Sequence, residues 1–289
     1  MPDDNSKMIN YYLVGFIDLL GQQEALSQFS RLPNVDNKEE LAAFSAIAKK
    51  TFGVVQSFHR TFTDFFNEFS SQEKKSPLSF VMTGHPIKFQ RFSDGMVVYV
   101  SLHRESNKIA VQGVFGVFAA CASSMLMHLS QGRPLRGGIE IGIGMEIKDN
   151  EIYGPCVSDA YVLESKIAKY PRIVVGKELV NFLRMNSLLF TENDPFNAYS
   201  KQLADICISL LAIDDDGYSF IDFLGEGCKK HIYKDDIEIK QLVKSAHNAI
   251  VQESEKWKTQ KNSKLAFRYT LLRNYFEERL KSIWDIDFI

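Results

Sequence analysis

The chain has 289 residues, 45% of them hydrophobic and 24% charged, with a formal net charge of −2. That is enough for one sizeable domain with or without an extension, and the near balance of charge excludes broad electrostatic capture of nucleic acid or anionic lipid. Cys121, Cys156, Cys207 and Cys228 show no C-x-x-C spacing, the opening MPDDNSKM lacks a signal-peptide pattern, and no uninterrupted apolar run approaches the roughly 20 residues of a membrane span, so the expectation is a cytoplasmic protein with reduced thiols and neither nucleic-acid nor membrane partners.

Residues 11–21, YYLVGFIDLLG, run apolar into Asp18 and then Gly21. The β-branched and aromatic content predicts a buried strand, and a carboxylate at its end is costly unless it is paired or holds a metal. Residues 22–30 can start a helix, which Leu32-Pro33-Asn34 interrupts; a longer helix begins near Asn37, an N-cap followed by Glu39 and Glu40 in the first turn. From Leu41 to Phe69 apolar residues, among them Phe44, Phe52, Phe58, Phe62 and Phe66, recur mostly at spacings of three and four. Such an aromatic stripe belongs to a core or a subunit interface. After the polar break at 70–77, residues 87–102 (IKFQRFSDGMVVYVSL) predict a hairpin that turns at Asp94-Gly95. Ser93-Asp94-Gly95 is ordinary turn chemistry; alternatively, Asp18 and Asp94 meet at adjacent strand ends and hold Mg²⁺ or Mn²⁺ through hard oxygen ligands.

Residues 107–129 predict a helix buried on most sides and ended by Gly132. In 134–148, PLRGGIEIGIGMEIK, isoleucines and Met145 alternate with Glu140, Gly142, Gly144 and Glu146, a period of two that predicts a strand with one buried face. Its glycines leave the other face open to something that approaches the backbone closely. A short strand (151–153), a helix (157–169), a strand (172–175) and a helix (177–185) follow. Residues 186–202 read as a surface loop, and 205–213 with 218–224 as a hairpin around the solvated turn Asp214-Asp215-Asp216-Gly217. Two charged amphipathic helices, 236–256 and 263–283, end the chain and add helical mass outside the strand-rich part.

This order predicts an α+β fold with helices over one face of a mainly antiparallel sheet, best matched by a ferredoxin-like core. Three segments resemble the class III nucleotide cyclases. FIDLLG resembles the first metal-aspartate motif, RFSDGMVVYV the hairpin that carries the second, and LRGGIEIGIG followed by YGPCVSDAYVLESKIA the strand and helix that supply ribose and transition-state contacts. The string ESKIAKYPRIVV, with the RGG before it, is similar to the divergent bacterial branch that makes cyclic pyrimidine nucleotides in Pycsar anti-phage defence.

The resemblance implies a catalytic domain over 1–235 and a helical extension over 236–289. It implies two ions, Mn²⁺ or Mg²⁺, held by Asp18, Asp94 and the main-chain carbonyl of Leu19. The backbone of Leu19, Leu20 and Gly21 would meet phosphate oxygens. The substrate would be a pyrimidine nucleoside triphosphate, UTP or CTP, with the cyclic nucleotide read by a separate effector, and the sites would be shared across a head-to-tail homodimer. Where the family has Asn and, four residues later, a transition-state Arg, this chain has Ser158 and Val162. Arg136, Lys166 and Arg172 are the nearby cations that could substitute. At the base-reading positions stand Gln90 and Glu151, able to read either uracil or cytosine. A catalytically silent, nucleotide-binding or interaction domain is the competing expectation, motivated by Ser158 and Val162.

Overall fold

The structure, a computed structural model, describes residues 9–22, 27, 31–72, 87–102, 111–148, 151–189, 194–233 and 237–286. Most of the short helix expected at 22–30, the polar break at 73–77 and the start of the helix expected at 107 lie outside them.

The architecture is mixed α and β, with a mostly antiparallel sheet. Strand β1 (Ile9–Leu19) pairs antiparallel with β3 (Gly95–Ser101) on one side and β4 (Leu135–Lys148) on the other. The hairpin partner β2 (Lys88–Phe92) flanks β3, and β5 (Glu151–Tyr153) folds back on the far end of β4. Strand β6 (Ile173–Val175) runs parallel to the start of β4, and the hairpin β7 (Leu211–Ile213) and β8 (Ser219–Ile221) extends that edge through β8.

The period-two patterns sort side chains onto two faces. Leu13, Ile17, Met96, Val98, Val100, Ile139 and Ile141 point into the main core, beneath α1 (Lys38–Gln72) and α2 (Gln112–Ser130). Asn37 caps α1 as its sequence predicts, its Oδ1 accepting from the N–H groups of Glu39 and Glu40 at 3.1 Å. The aromatic stripe divides: Phe58, Phe62 and Phe66 are buried, whereas Phe52 is 64% exposed. Helix α2 is long and apolar enough to cross a membrane by composition, and its apolarity goes into the core, where most of its side chains are buried.

On the opposite face Tyr12, Val14, Val97 and Tyr99 form a smaller cluster under α3 (Pro155–Val162), which continues as a wider π turn, Leu163–Ile167. This helix occupies the face that the glycines of β4 leave open. A Cβ on Gly138 would come within 2.5 Å of the Ala160 carbonyl and 2.6 Å of the Glu164 nitrogen, and one on Gly144 within 2.8 Å of Cys156 Sγ. The close approach that the glycines permit is therefore made by the chain itself.

Helix α4 (Lys177–Ser187) follows β6. Residues 195–209 form α5 (Pro195–Ser209) rather than loop and strand, so the hairpin is confined to 211–221. Asp194-Pro195 is the overlooked signal: Asp194 Oδ1 accepts from Phe196 and Asn197 at 3.0 and 3.2 Å, and proline suits the first helical position. The aspartate turn is not merely solvated. Asp214 and Asp216 pair with Arg172, which is 2% exposed, and the Tyr170 hydroxyl donates to Asp214 at 2.6 Å. A buried guanidinium requires such counter-charge.

The last helices, α6 (Ile237–Thr259) and α7 (Ser263–Arg279), do not stand outside the strand-rich part. Val243, Ile250, Leu272, Phe276 and Trp284 belong to the same core as α2 and the sheet. Buried Tyr275 donates to Asp222 at 2.7 Å, and the Trp284 indole N–H donates to the Leu224 carbonyl at 2.8 Å.

Candidate active site

Asp18 stands opposite Gly95 on β3 and opposite Arg136 on β4, so the three positions share one row across the sheet. Asp94 is the turn residue just before Gly95. The Leu19 N–H donates to the Asp94 carbonyl at 3.1 Å, joining the end of β1 to the hairpin turn. A Cβ at position 95 would press on the Ile17 carbonyl at 3.3 Å and touch Asp18 Oδ1 at an ordinary contact distance of 3.4 Å, so the strand ends meet closely here. Two carboxylates 76 positions apart in sequence are thus neighbours.

Their proximity has an electrostatic consequence. Burial, and then repulsion from Asp94 and Glu164, push the Asp18 pKa up to about 6, against the opposing pull of Arg136. Arg136 Nη2 lies 3.7 Å from Asp18 Oδ2, and its Nε donates to Glu164 Oε1 at 2.7 Å. Glu164 is 3% exposed and sits in the π turn after α3, so the helix packed on Gly138 also fixes the guanidinium. Two carboxylates, with Asp18 in surroundings that disfavour its charge, suit a hard divalent ion that takes its remaining ligands from water and phosphate.

The carboxylates open into a cleft of about 740 Å³. Leu19 to Gln22 and Asp94 form one side, residues 132–134 and Arg136 another, and the turn end of α6 and α7 the third, with Glu253, Lys256, Trp257, Arg268 and Tyr269.

The other candidates divide. The N–H groups of Leu19 and Leu20 are already donated, to Asp94 and to Pro134 at 2.9 Å, which corrects their expected use on phosphate. Gly21, at φ +87°, turns the chain beside them at the cleft and has no backbone acceptor among the described residues. Gln90 is in register with Val97 and Phe16, on the same face as Asp18 and two positions along. Glu151 pairs with Lys148 at the far end of β4, roughly 40 Å of strand from Arg136 at ~3.4 Å per residue. Ser158 and Val162 are exposed on α3. Of the three substitute cations, Arg136 lies at the carboxylates, Arg172 is consumed by Asp214 and Asp216, and Lys166 is exposed on the π turn.

The contribution of α6 and α7 escaped the sequence reading. A signal existed: Lys256, Lys258, Lys261, Lys264 and Arg268 crowd one helix–helix turn. A charge run of this kind reads equally as a solvated face. Comparison with protein-family models, with curated proteins and with solved structures finds no match to the chain.

Proposed function

We propose that the protein is a nucleotide cyclase of class III type on a ferredoxin-like core, converting a pyrimidine nucleoside triphosphate, UTP or CTP, to the 3′,5′-cyclic monophosphate and pyrophosphate as a messenger in anti-phage defence. The observation that supports this reading is the meeting of Asp18, at the end of β1, and Asp94, in the turn between β2 and β3, at a cleft beside a fixed arginine. Divalent ions held by these carboxylates and the Leu19 carbonyl would activate the ribose 3′-hydroxyl and offset the charge of the triphosphate. Asp18 and Asp94 supply the anionic oxygens, and the loop through Gly21 lets phosphate approach the backbone. Arg136, locked by Glu164, presents a cation that needs no reorganisation as charge builds on phosphorus, and it is the residue we assign in place of the arginine missing at Val162.

Base choice is tested by competition. With all four NTPs at equal concentration and Mn²⁺ present, mass spectrometry is expected to find cyclic UMP or cyclic CMP as the main product. UTP is the expected preference, on family resemblance alone. Preferential use of ATP or GTP would remove the pyrimidine reading. Nucleotide binding without any cyclic product would support the silent-domain alternative, which the absence of a cation at Ser158 and Val162 favours.

The working unit we assign is a head-to-tail homodimer. Glu151 lies too far from Asp18 within one chain to touch the same nucleotide, so on this reading a second copy would bring it. The reason differs from the sequence expectation, because much of the aromatic stripe is spent on the chain's own core. The apolar surface that asks for cover is on the α3 side, where Phe92, Tyr161 and Val162 are 43%, 48% and 44% exposed and Phe16 contacts the rings of Phe92 and Tyr161. Specific activity is expected to fall on dilution as light scattering passes from dimeric to monomeric mass. Constant specific activity from a monomer would contradict the shared site.

A further inference from the structure

Arg268 reaches the cleft from the second turn of α7 and stands close enough to Arg136 for the two like charges to disfavour each other. Arg136 has Glu164 and Asp18 as counter-charges, whereas Arg268 has no hydrogen-bond or carboxylate partner among the described residues. Lys256, on the facing end of α6, is half neutralised: its Nζ lies 3.1 Å from Glu253 Oε1 and 4.4 Å from the centre of the Trp257 ring. Arg133 completes the cationic side of the same cleft. Two arginines are thus held together in a cleft that also holds two carboxylates, Arg136 paired with Asp18 and Glu164 and Arg268 without a counter-charge among the described residues. Packing of α6 and α7 into the core fixes this arrangement, at an electrostatic cost that an incoming polyanion would relieve.

We infer that the α6–α7 turn is part of the substrate site, with Arg268 as the principal anchor, Lys256 and Arg133 in support, for the terminal phosphates of the nucleotide and then for the pyrophosphate it releases. The identity of that phosphate-bearing molecule rests on the cyclase reading. In that reaction the ribose 3′-oxygen bonds to the α-phosphorus and loses its proton to water. The bond from the α-phosphorus to its bridging oxygen breaks, and the electron pair leaves on pyrophosphate. Charge therefore accumulates on the group that Arg268 faces. Arg136 and Arg268 have separate tasks, the first beside the carboxylates and the second on the leaving group. A helical hairpin at the C-terminal end of the chain thereby becomes a wall of the site, and its turn residues contribute to affinity for any polyphosphate, whichever base is attached.

The test is calorimetric titration with Mn²⁺ and pyrophosphate on the full chain. Arg268→Gln is expected to weaken pyrophosphate binding by about tenfold or more, as loss of a charge-assisted contact does, with Arg268→Lys between it and the wild type. Lys264→Gln, at an exposed residue of the same turn that does not line the cleft, should bind within about twofold of wild type, since an isolated surface charge contributes little. Arg268→Gln binding like wild type would overturn the assignment, and so would a wild type that does not bind pyrophosphate. If no NTP yields a cyclic product while Arg268→Gln still weakens pyrophosphate binding, the cyclase reading fails and the phosphate site stands.

Discussion

On the proposed cyclase function, Asp18→Ala and Asp94→Ala are each expected to lower cyclic nucleotide formation by at least about a thousandfold at saturating Mn²⁺, because each would remove one of the two anionic donors assigned to the ions. Neither substitution unfolds the protein. Both side chains are partly exposed at strand ends, and truncation leaves no sealed apolar cavity. Asp18→Asn separates the chemical role from the structural one more sharply. The pKa of Asp18 is raised from 3.8 to about 6 in the metal-free fold, so the folded state binds more protons than the unfolded chain between those values. The stability linked to this group is fully present below about pH 4 and is lost as pH rises through about 6, by up to about 3 kcal/mol. Metal-free Asp18→Asn should therefore melt a few degrees above wild type at pH 8, while making no cyclic product. Addition of Mn²⁺ should raise the melting temperature of the wild type and leave that of the variant unchanged. Near-normal turnover by either alanine variant would remove the mechanism, and a lower melting temperature for metal-free Asp18→Asn would show that Asp18 is held by compensating contacts instead.

Gly138→Ala is expected to cost about 3 kcal/mol or more and to disable the site from a distance. The added methyl meets the Ala160 carbonyl, the Glu164 nitrogen and the Leu163 side chain, and two of these are backbone atoms that cannot turn aside. Relief requires α3 and its π turn to lift from β4. That movement takes Glu164 away from Arg136, so the guanidinium loses its buried anchor and turns further toward Asp18. Gly132→Ala is the informative comparison. Its cost is the strain of φ +69° alone, with no atom within 4 Å of the new Cβ. Urea denaturation of both variants, with NTP turnover measured under conditions where each remains folded, checks the argument. A Gly138→Ala protein as stable and as active as wild type would mean that α3 is not clamped on the sheet.

What the sequence determined by itself was local. The β-branched and aromatic run YYLVGFID and the alternation in GGIEIGIGMEI lead to strands because such side chains suit a pleated backbone that sends successive residues to opposite faces. The hairpin turns one residue earlier than Asp94-Gly95, at Ser93-Asp94, with Gly95 already paired to Phe92 in β3, and Asn37 caps a helix because its side chain reaches free backbone donors. Even the pairing of Asp18 with Asp94 could be posed, since both sit at predictable strand ends. The tertiary structure alone decided which charges face which. Arg136, Lys166 and Arg172 look alike in a string. Only the fold gives Arg172 to Asp214 and Asp216, leaves Lys166 exposed, and sets Arg136 between Asp18 and Glu164. The glycines of β4 announced a close approach without naming α3 as its cause. The basic turn of α6 and α7 carried no sign of its destination either, because periodicity records which side of a helix is apolar, and the position of its polar end in space depends on packing against α2 more than a hundred residues earlier.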